Sequence, residues 1–255
     1  MIDVRGLSFA YYRSDNVLAD VSFRLDPGEM ISVLGPNGCG KTTLLKAILG
    51  FLPISTKTIF INQHPVEDYS RPSLARILAY VPQYNGSVFP YSVRDMVLMG
   101  RTGFRRWGGY SGQDRRKVDE ALDLVQITAL STRSFLELSG GQKQLVIIAR
   151  ALAQNSSFIL MDEPTSGLDL SNQILVLKTM KKLHEDKKLS FLMTTHHPEQ
   201  AVYLGGQVLM MKDGSVSACG QAKLLITPRT VEELYNLEPG LLTEMGLVPT
   251  CLSQG

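Results

Sequence analysis

The chain has 255 residues, 44% of them hydrophobic and 20% charged, with a formal net charge of +2. That length holds one large α/β domain or two small ones, and the composition can bury a core. So even a balance of charge argues against a nucleic-acid or acidic-membrane partner, and three scattered cysteines (Cys39, Cys219, Cys251), without pairing or metal-ligand spacing, suit a reducing compartment.

In chain order, the N-terminus MIDVRGLSF carries Asp3 and Arg5 and no apolar signal-peptide core. Ile2–Phe9 and Val21–Leu25 alternate as strands do. Pro27-Gly28 marks a turn before the apolar run Met30–Leu34, a third strand. A glycine-rich stretch, Gly35–Gly40, follows, then a helical pattern from Lys41 to Leu49 stopped at Gly50. Arg76–Pro82 reads as a strand ending at Gln83. From residue 84 to about 137 the character changes. There are turn signals at Asn85-Gly86 and Gly108-Gly109, basic residues Arg101, Arg105 and Arg106, and an amphipathic helix near Val118–Val125. The apolar run Leu145–Ala153 is broken by Arg150 and falls far short of the roughly 18 residues of a membrane helix, so membrane work is expected to go through a partner. Phe158–Met161 is a further strand running into Asp162-Glu163, followed by a helix over Leu170–His184 and a strand at Leu189–Thr194. Gln207–Met211 and Ser215–Cys219 form a hairpin across Asp213-Gly214. The remainder reads as short helices broken by Pro228, Pro239 and Pro249. Strand–helix alternation predicts a largely parallel sheet with helices on both faces, in a single domain over 1–255 with an inserted helical part at about 84–150 and a helical tail at 226–255.

Gly35-Pro36-Asn37-Gly38-Cys39-Gly40-Lys41-Thr42-Thr43 fits G-x-x-x-x-G-K-[ST] between a strand and a helix. Glycines let backbone N–H groups turn onto phosphate oxygens at the positive end of the helix. Lys41 adds a cation for the β- and γ-phosphates, and the Thr42 hydroxyl is placed to ligate Mg²⁺. Asp162 and Glu163 stand at the C-terminal edge of a strand, where open α/β sheets bind ligands. Asp162 is the expected Mg²⁺ partner and Glu163 the group that polarises water. Cys39, beside Lys41 at a helix N-terminus, is expected to favour its thiolate, so that alkylation inhibits and ATP protects.

Leu138-Ser139-Gly140-Gly141-Gln142 precedes another helical run, so that Ser139 and two glycines make a second anion site at a helix end, or a plain helix cap. With the phosphate loop, this LSGGQ sequence resembles the ATP-binding-cassette (ABC) ATPases, over residues Leu7 to about Leu225. The resemblance implies a P-loop NTPase fold, with a RecA-like parallel-sheet core, an N-terminal antiparallel β subdomain and an inserted helical subdomain. It implies ATP and Mg²⁺ as cofactors and a head-to-tail homodimer in which one copy's Ser139, Gly140, Gly141 and Gln142 close over nucleotide held by the other. By position in the family pattern, Gln83 is the Q-loop glutamine that meets Mg²⁺, Asp169 belongs to the D-loop that contacts the opposite subunit, and His196 is the switch histidine on the γ-phosphate, with His197 beside it where the family commonly has Asp or Gln. Tyr11, or its neighbour Tyr12, stacks on adenine. The segment Leu52–Asn62 lacks a glycine that the family often carries, which bears on loop geometry.

The stretch Phe89–Arg101 is similar to ATPases of importers for iron siderophores, haem, cobalamin and molybdate or tungstate. There it implies a groove for two permease subunits, with Phe89 and Tyr91 as apolar anchors and basic side chains at the rim; Tyr91 and Val93 read equally well as core. A binding protein outside the membrane would be engaged only indirectly, and the chain would sit on the cytoplasmic face of the membrane. An exporter subunit, a soluble ABC ATPase and a non-hydrolysing ATP switch are the alternatives.

Overall fold

A computed structural model describes residues 1–12, 16–83, 90–104 and 109–246. The chain divides into two compact units, one made of residues 1–69 and 191–255 and the other of 70–190. The Asn85-Gly86 turn, Phe89, Arg105, Arg106, Gly108, Pro249 and Cys251 lie outside the described residues.

Unit one opens with β1 (Ile2–Ala10) and β2 (Asn16–Leu25), antiparallel from Ile2↔Leu25. Ile2, Val4 and Leu7 are buried and alternate with more exposed neighbours, the period-two pattern of a half-buried sheet. β3 (Met30–Leu34) is buried along its whole length and leads into α1 (Lys41–Ile48). β4 (Ile59–Ile61) pairs antiparallel with β1, and β5 (His64–Pro65) follows it, giving the order β2-β1-β4-β5. β4 and β5 lie in and just after the segment lacking the family's glycine. Lys57 takes the left-handed backbone there, φ 58°, and donates its N–H to Glu67 Oε1 at 2.7 Å.

Unit two contains α2 (Arg71–Ala75), β6 (Leu78–Val81), α3 (Val93–Leu98), α4 (Gly112–Leu124), α5 (Gly140–Ala153), β7 (Phe158–Asp162) and α6 (Leu170–Lys187). β6 and β7 are parallel, Leu78↔Phe158 to Val81↔Met161. The core of α5 is Val146, Ile148 and Ala149, all 0% exposed. Arg101, expected at a basic rim, is buried instead. Its Nε donates to Asp114 Oδ1 at 2.9 Å, its Nη1 donates to the carbonyls of Ala153 and Gln154 at the end of α5, and its guanidinium lies 3.9 Å from the Phe104 ring centroid. A buried guanidinium needs such partners, because stripping its water is costly. Val93 is core, whereas Tyr91 is 42% exposed.

Back in unit one, β8 (Ser190–Thr195) pairs parallel with β3, whose other edge takes β9 (Gln207–Lys212), also parallel. β10 (Ser215–Gln221) closes the hairpin on β9. The helices α7 (Pro198–Leu204), α8 (Ala222–Leu225), α9 (Pro228–Tyr235) and α10 (Leu241–Glu244) follow β8 and the hairpin. Val231 and Leu234 of α9 bury against Val202, Val208, Met210 and Ile226.

Candidate functional site

Unit one carries the glycine loop between β3 and α1. Gly40 caps α1 at φ 103°, a left-handed backbone that costs a residue with a Cβ about 1–2 kcal/mol, and a Cβ there would also lie 2.6 Å from Val17 O. Lys41 is 5% exposed, and its ammonium donates to the carbonyls of Gly35 and Pro36 at 2.8 and 2.9 Å, a fold-back that holds the cation against the loop. Asn37 and Gly38 are exposed; Thr43 is buried and within 3.5 Å of the Tyr11 hydroxyl. The Tyr11 ring meets Phe9 edge-on at 5.0 Å, whereas Tyr12 is 89% exposed, so the loop has Tyr11 as its aromatic neighbour. Cys39 is buried, and burial pushes its thiol above the ordinary range despite the lowering pull of Lys41. The thiolate expected at this helix end is therefore disfavoured: desolvation outweighs the positive helix end.

The same unit brings His196 to the loop. Leu34 and Thr195 are register partners on β3 and β8, and Gly35 N–H donates to Thr195 O at 3.4 Å. Thr195 Oγ1 accepts the His197 N–H at 3.1 Å and donates to Gln200 Oε1 at 3.1 Å, fixing the turn. The rings of His196 and His197 lie 4.2 Å apart, and His197 pairs with Glu199 at 3.2 Å. A residue that sequence reasoning missed completes the turn: Tyr235, at the end of α9, donates its hydroxyl to His196 O at 2.7 Å. Nothing local could have signalled a contact across 39 positions.

Unit two brings together the acidic and signature residues. Asp162 is 3% exposed at the end of β7, and the Tyr80 hydroxyl on β6 donates to its Oδ2 at 3.5 Å. Burial first, then the Asp162 charge, pushes Tyr80 up to about 12, which keeps it a donor. Glu163 follows with φ 44°, a left-handed backbone rare for a side chain of this kind, and such strain concentrates at functional positions. Gln83 donates to Ser166 Oγ at 3.2 Å. Ser139 is the N-cap of α5: its Oγ accepts the Gln142 N–H at 3.3 Å, and Gln142 Oε1 accepts the Ser139 N–H at 3.1 Å. The plain cap is thus formed, with Gly140 and Gly141 opening the helix. Asp169 caps α6, accepting the Asn172 N–H at 2.8 Å.

A glycine loop with a buried lysine, entering a helix from a parallel strand of a mixed α/β fold, is the mark of a nucleotide-binding P-loop domain. The ABC transporter family profile matches residues 18–166. The molybdate import ATP-binding protein of Haemophilus influenzae is 37% identical over 92% of this chain and 88% of its own length. The hemin import ATP-binding protein of Hahella chejuensis is 36% identical over 89% of each. The solved ATP-binding cassette MJ0796, a dimer in a post-hydrolysis state with ADP and phosphate, matches with TM-score 0.72 and 27% identity over 87% of this chain and 99% of that one.

The chain belongs to the ABC transporter ATP-binding family. It binds ATP, and its hydrolysis is coupled to transport. No helix among the described residues is long and apolar enough to cross a membrane.

Proposed function

We propose that this chain is the nucleotide-binding subunit of an ABC importer, powering uptake of a metal chelate or metal oxyanion (iron siderophore, haem, cobalamin, molybdate or tungstate) through two separate permease subunits on whose cytoplasmic side it sits. The observation that carries this reading is the near-equal likeness to a molybdate and a hemin import protein, 37% and 36% identical. The likeness supports metal-related import without choosing a solute, as expected if the solute never touches this subunit. Import relatives of this kind weigh against the exporter and the soluble ATPase. Co-purification with a permease, and uptake of labelled molybdate or haem lost on deletion of the chain, tests the reading; wild-type uptake of every solute in this class would end it.

Thr42, Asp162 and Gln83 offer hydroxyl, carboxylate and carboxamide oxygens, the hard donors that suit Mg²⁺. Bound there, Mg²⁺ would supply charge neutralisation on the triphosphate. Lys41 and the loop N–H groups bind the triphosphate, with Asn37, Gly38, Cys39 and Thr43 lining it and Tyr11 under adenine. Glu163 orients water and takes its proton; His196 hydrogen-bonds the γ-phosphate. Phosphoryl transfer asks for positioning and charge stabilisation more than covalent chemistry, and a second copy's Ser139–Gln142 helix end provides the remainder, with Asp169 at the same boundary. Glu163→Gln is therefore expected to lower turnover by at least about 10²-fold while ATP still drives dimerisation, read by phosphate release and size-exclusion chromatography. Near-normal turnover in that variant removes Glu163 from the reaction.

A further inference from the structure

The two signature glycines face the turn that opens α6. A Cβ built on Gly140 would lie 3.1 Å from Leu168 Cδ2, the end of a side chain that can give way. At Gly141 nothing can give way so easily: the added Cβ would stand 2.8 Å from Asn172 Cβ and nearer still to the Asn172 carboxamide. Gly141 lies inside α5 and is not among the residues with positive φ, so its backbone does not demand glycine. Space does. Asn172 is in turn fixed by Asp169: its N–H donates to Oδ1 at 2.8 Å and its Nδ2 donates to Oδ2 at 2.9 Å. That chelate turns the carboxamide oxygen toward Gly141, where it is the nearest atom to the built Cβ.

We infer that Asn172 is a positioning residue that keys the D-loop to the signature helix within one subunit, and that glycine is needed at 141 to receive it. This rests on the roles proposed above for Asp169 and for Ser139–Gln142. The second signature glycine then serves its own chain before it serves the nucleotide held by a partner. Any shift of Asp169 is passed through the Asn172 amide to the first turn of α5, where Ser139 and Gln142 cap each other. The two segments that meet the opposite subunit thus move as one piece.

The test is compensation in the full-length protein. Gly141→Ala is expected to lower kcat for ATP at least about tenfold, because overpacking displaces the helix end. Adding Asn172→Ala recovers only part, since the Cβ at 172 still stands 2.8 Å from the new methyl. Adding Asn172→Gly clears the space and returns kcat to within about threefold of Asn172→Gly alone, while ATP binding, measured with a fluorescent nucleotide, stays unchanged throughout. A full-strength Gly141→Ala single variant overturns the inference. So does a Gly141→Ala/Asn172→Gly variant as weak as Gly141→Ala although Asn172→Gly is active, which would assign the glycine to the opposing nucleotide. Should Asn172→Gly fail to fold, the Asn172→Ala pair decides: partial recovery supports the inference and none overturns it. Failure of the underlying functional reading has a different signature, a wild-type ATPase that stays monomeric with ATP and tolerates Ser139→Ala. In that event the melting temperatures of the same variants still report whether Asn172 fills the space at Gly141.

Discussion

Two helix N-termini carry the proposed chemistry, and they are built in opposite ways. At α1 the cap is Gly40, in the left-handed region, which has no side chain to cap the first turn. At α5 the cap is Ser139, in extended backbone, and Ser139 and Gln142 satisfy each other's N–H groups. Both ends have the partial positive charge of a helix start. The first adds the Lys41 ammonium, held on the Gly35 and Pro36 carbonyls. The second spends part of its donor set on itself and has no basic residue among Ser139–Gln142. In the function proposed above, α1 accordingly holds the triphosphate, whereas α5 engages one that is already bound elsewhere.

The largest expected effect on ATP binding separates the two ends directly. Lys41→Ala removes a charge-assisted donor and should weaken ATP binding by up to about 10²-fold, read by titration with a fluorescent nucleotide. Ser139→Ala should leave that affinity intact, lower stability by about 1 kcal/mol through the lost cap, and reduce steady-state hydrolysis tenfold or more. Equal losses of ATP affinity in the two variants would erase the distinction.

The far end of α5 sharpens the contrast. Both α1 and α5 end on backbone bonds, through the Leu49 N–H and through the Gln154 and Asn155 N–H groups, but α5 adds the Arg101 guanidinium on its last carbonyls, with Arg101 held by Asp114 and Asp114 by Ser111. Arg101→Met should cost about 3–5 kcal/mol, since it leaves the Asp114 carboxylate buried without its partner, and at about 2–4 °C per kcal/mol the melting temperature should fall by roughly 6–20 °C. The Ser111 hydroxyl first, then the Ser111 N–H and Arg101, hold Asp114 below the usual carboxylate range. A depressed carboxylate adds stability that is complete above its ordinary pKa and disappears as pH falls through the folded value. The acid limb of the stability profile should therefore flatten in Arg101→Met. A melting temperature and acid limb unchanged from wild type would show that the buried pair carries no stability.

How much of this was legible in the sequence depends on the distance over which each signal acts. β3, α1 and β7 follow from continuous apolar runs and a helical period, and the glycine loop declares itself within nine residues. β4 escaped because its turn chemistry is unusual: Lys57, Asn62 and Gln63 hold positive φ at 58°, 49° and 70° where glycine is the ordinary signal. Arg101 read as one of the basic side chains at a rim, since burial of an ion pair depends on how α3, α4 and α5 pack and leaves no local pattern. The closeness of Leu34 to Thr195 needed the sheet register, and the Tyr235–His196 bond needed the packing of α9. Tyr235→Phe deletes one hydroxyl from that bond, a loss of about 1 kcal/mol that should appear as a threefold to tenfold fall in kcat with ATP affinity unchanged. An unaltered kcat would show that the turn bearing His196 is held without α9.

The last effect concerns what a helix end can do to a thiol. A positive helix terminus and a neighbouring ammonium both favour thiolate, and Lys41 does lower the Cys39 pKa, yet burial at 6% exposure dominates and pushes it up. Alkylation proceeds through thiolate, so at neutral pH Cys39 should react with iodoacetamide at least about tenfold slower than an ordinary exposed thiol, and its rate should keep climbing at pH values where a free cysteine has levelled off. Peptide mass spectrometry resolves Cys39 from the exposed Cys219, so the two rates can be followed in one digest. Fast labelling of Cys39 that is already level with pH near 7 would mean that the field at the start of α1 outweighs desolvation. The loop would then be a stronger anion site than its buried cysteine suggests, and the gap between the two helix ends would be wider still.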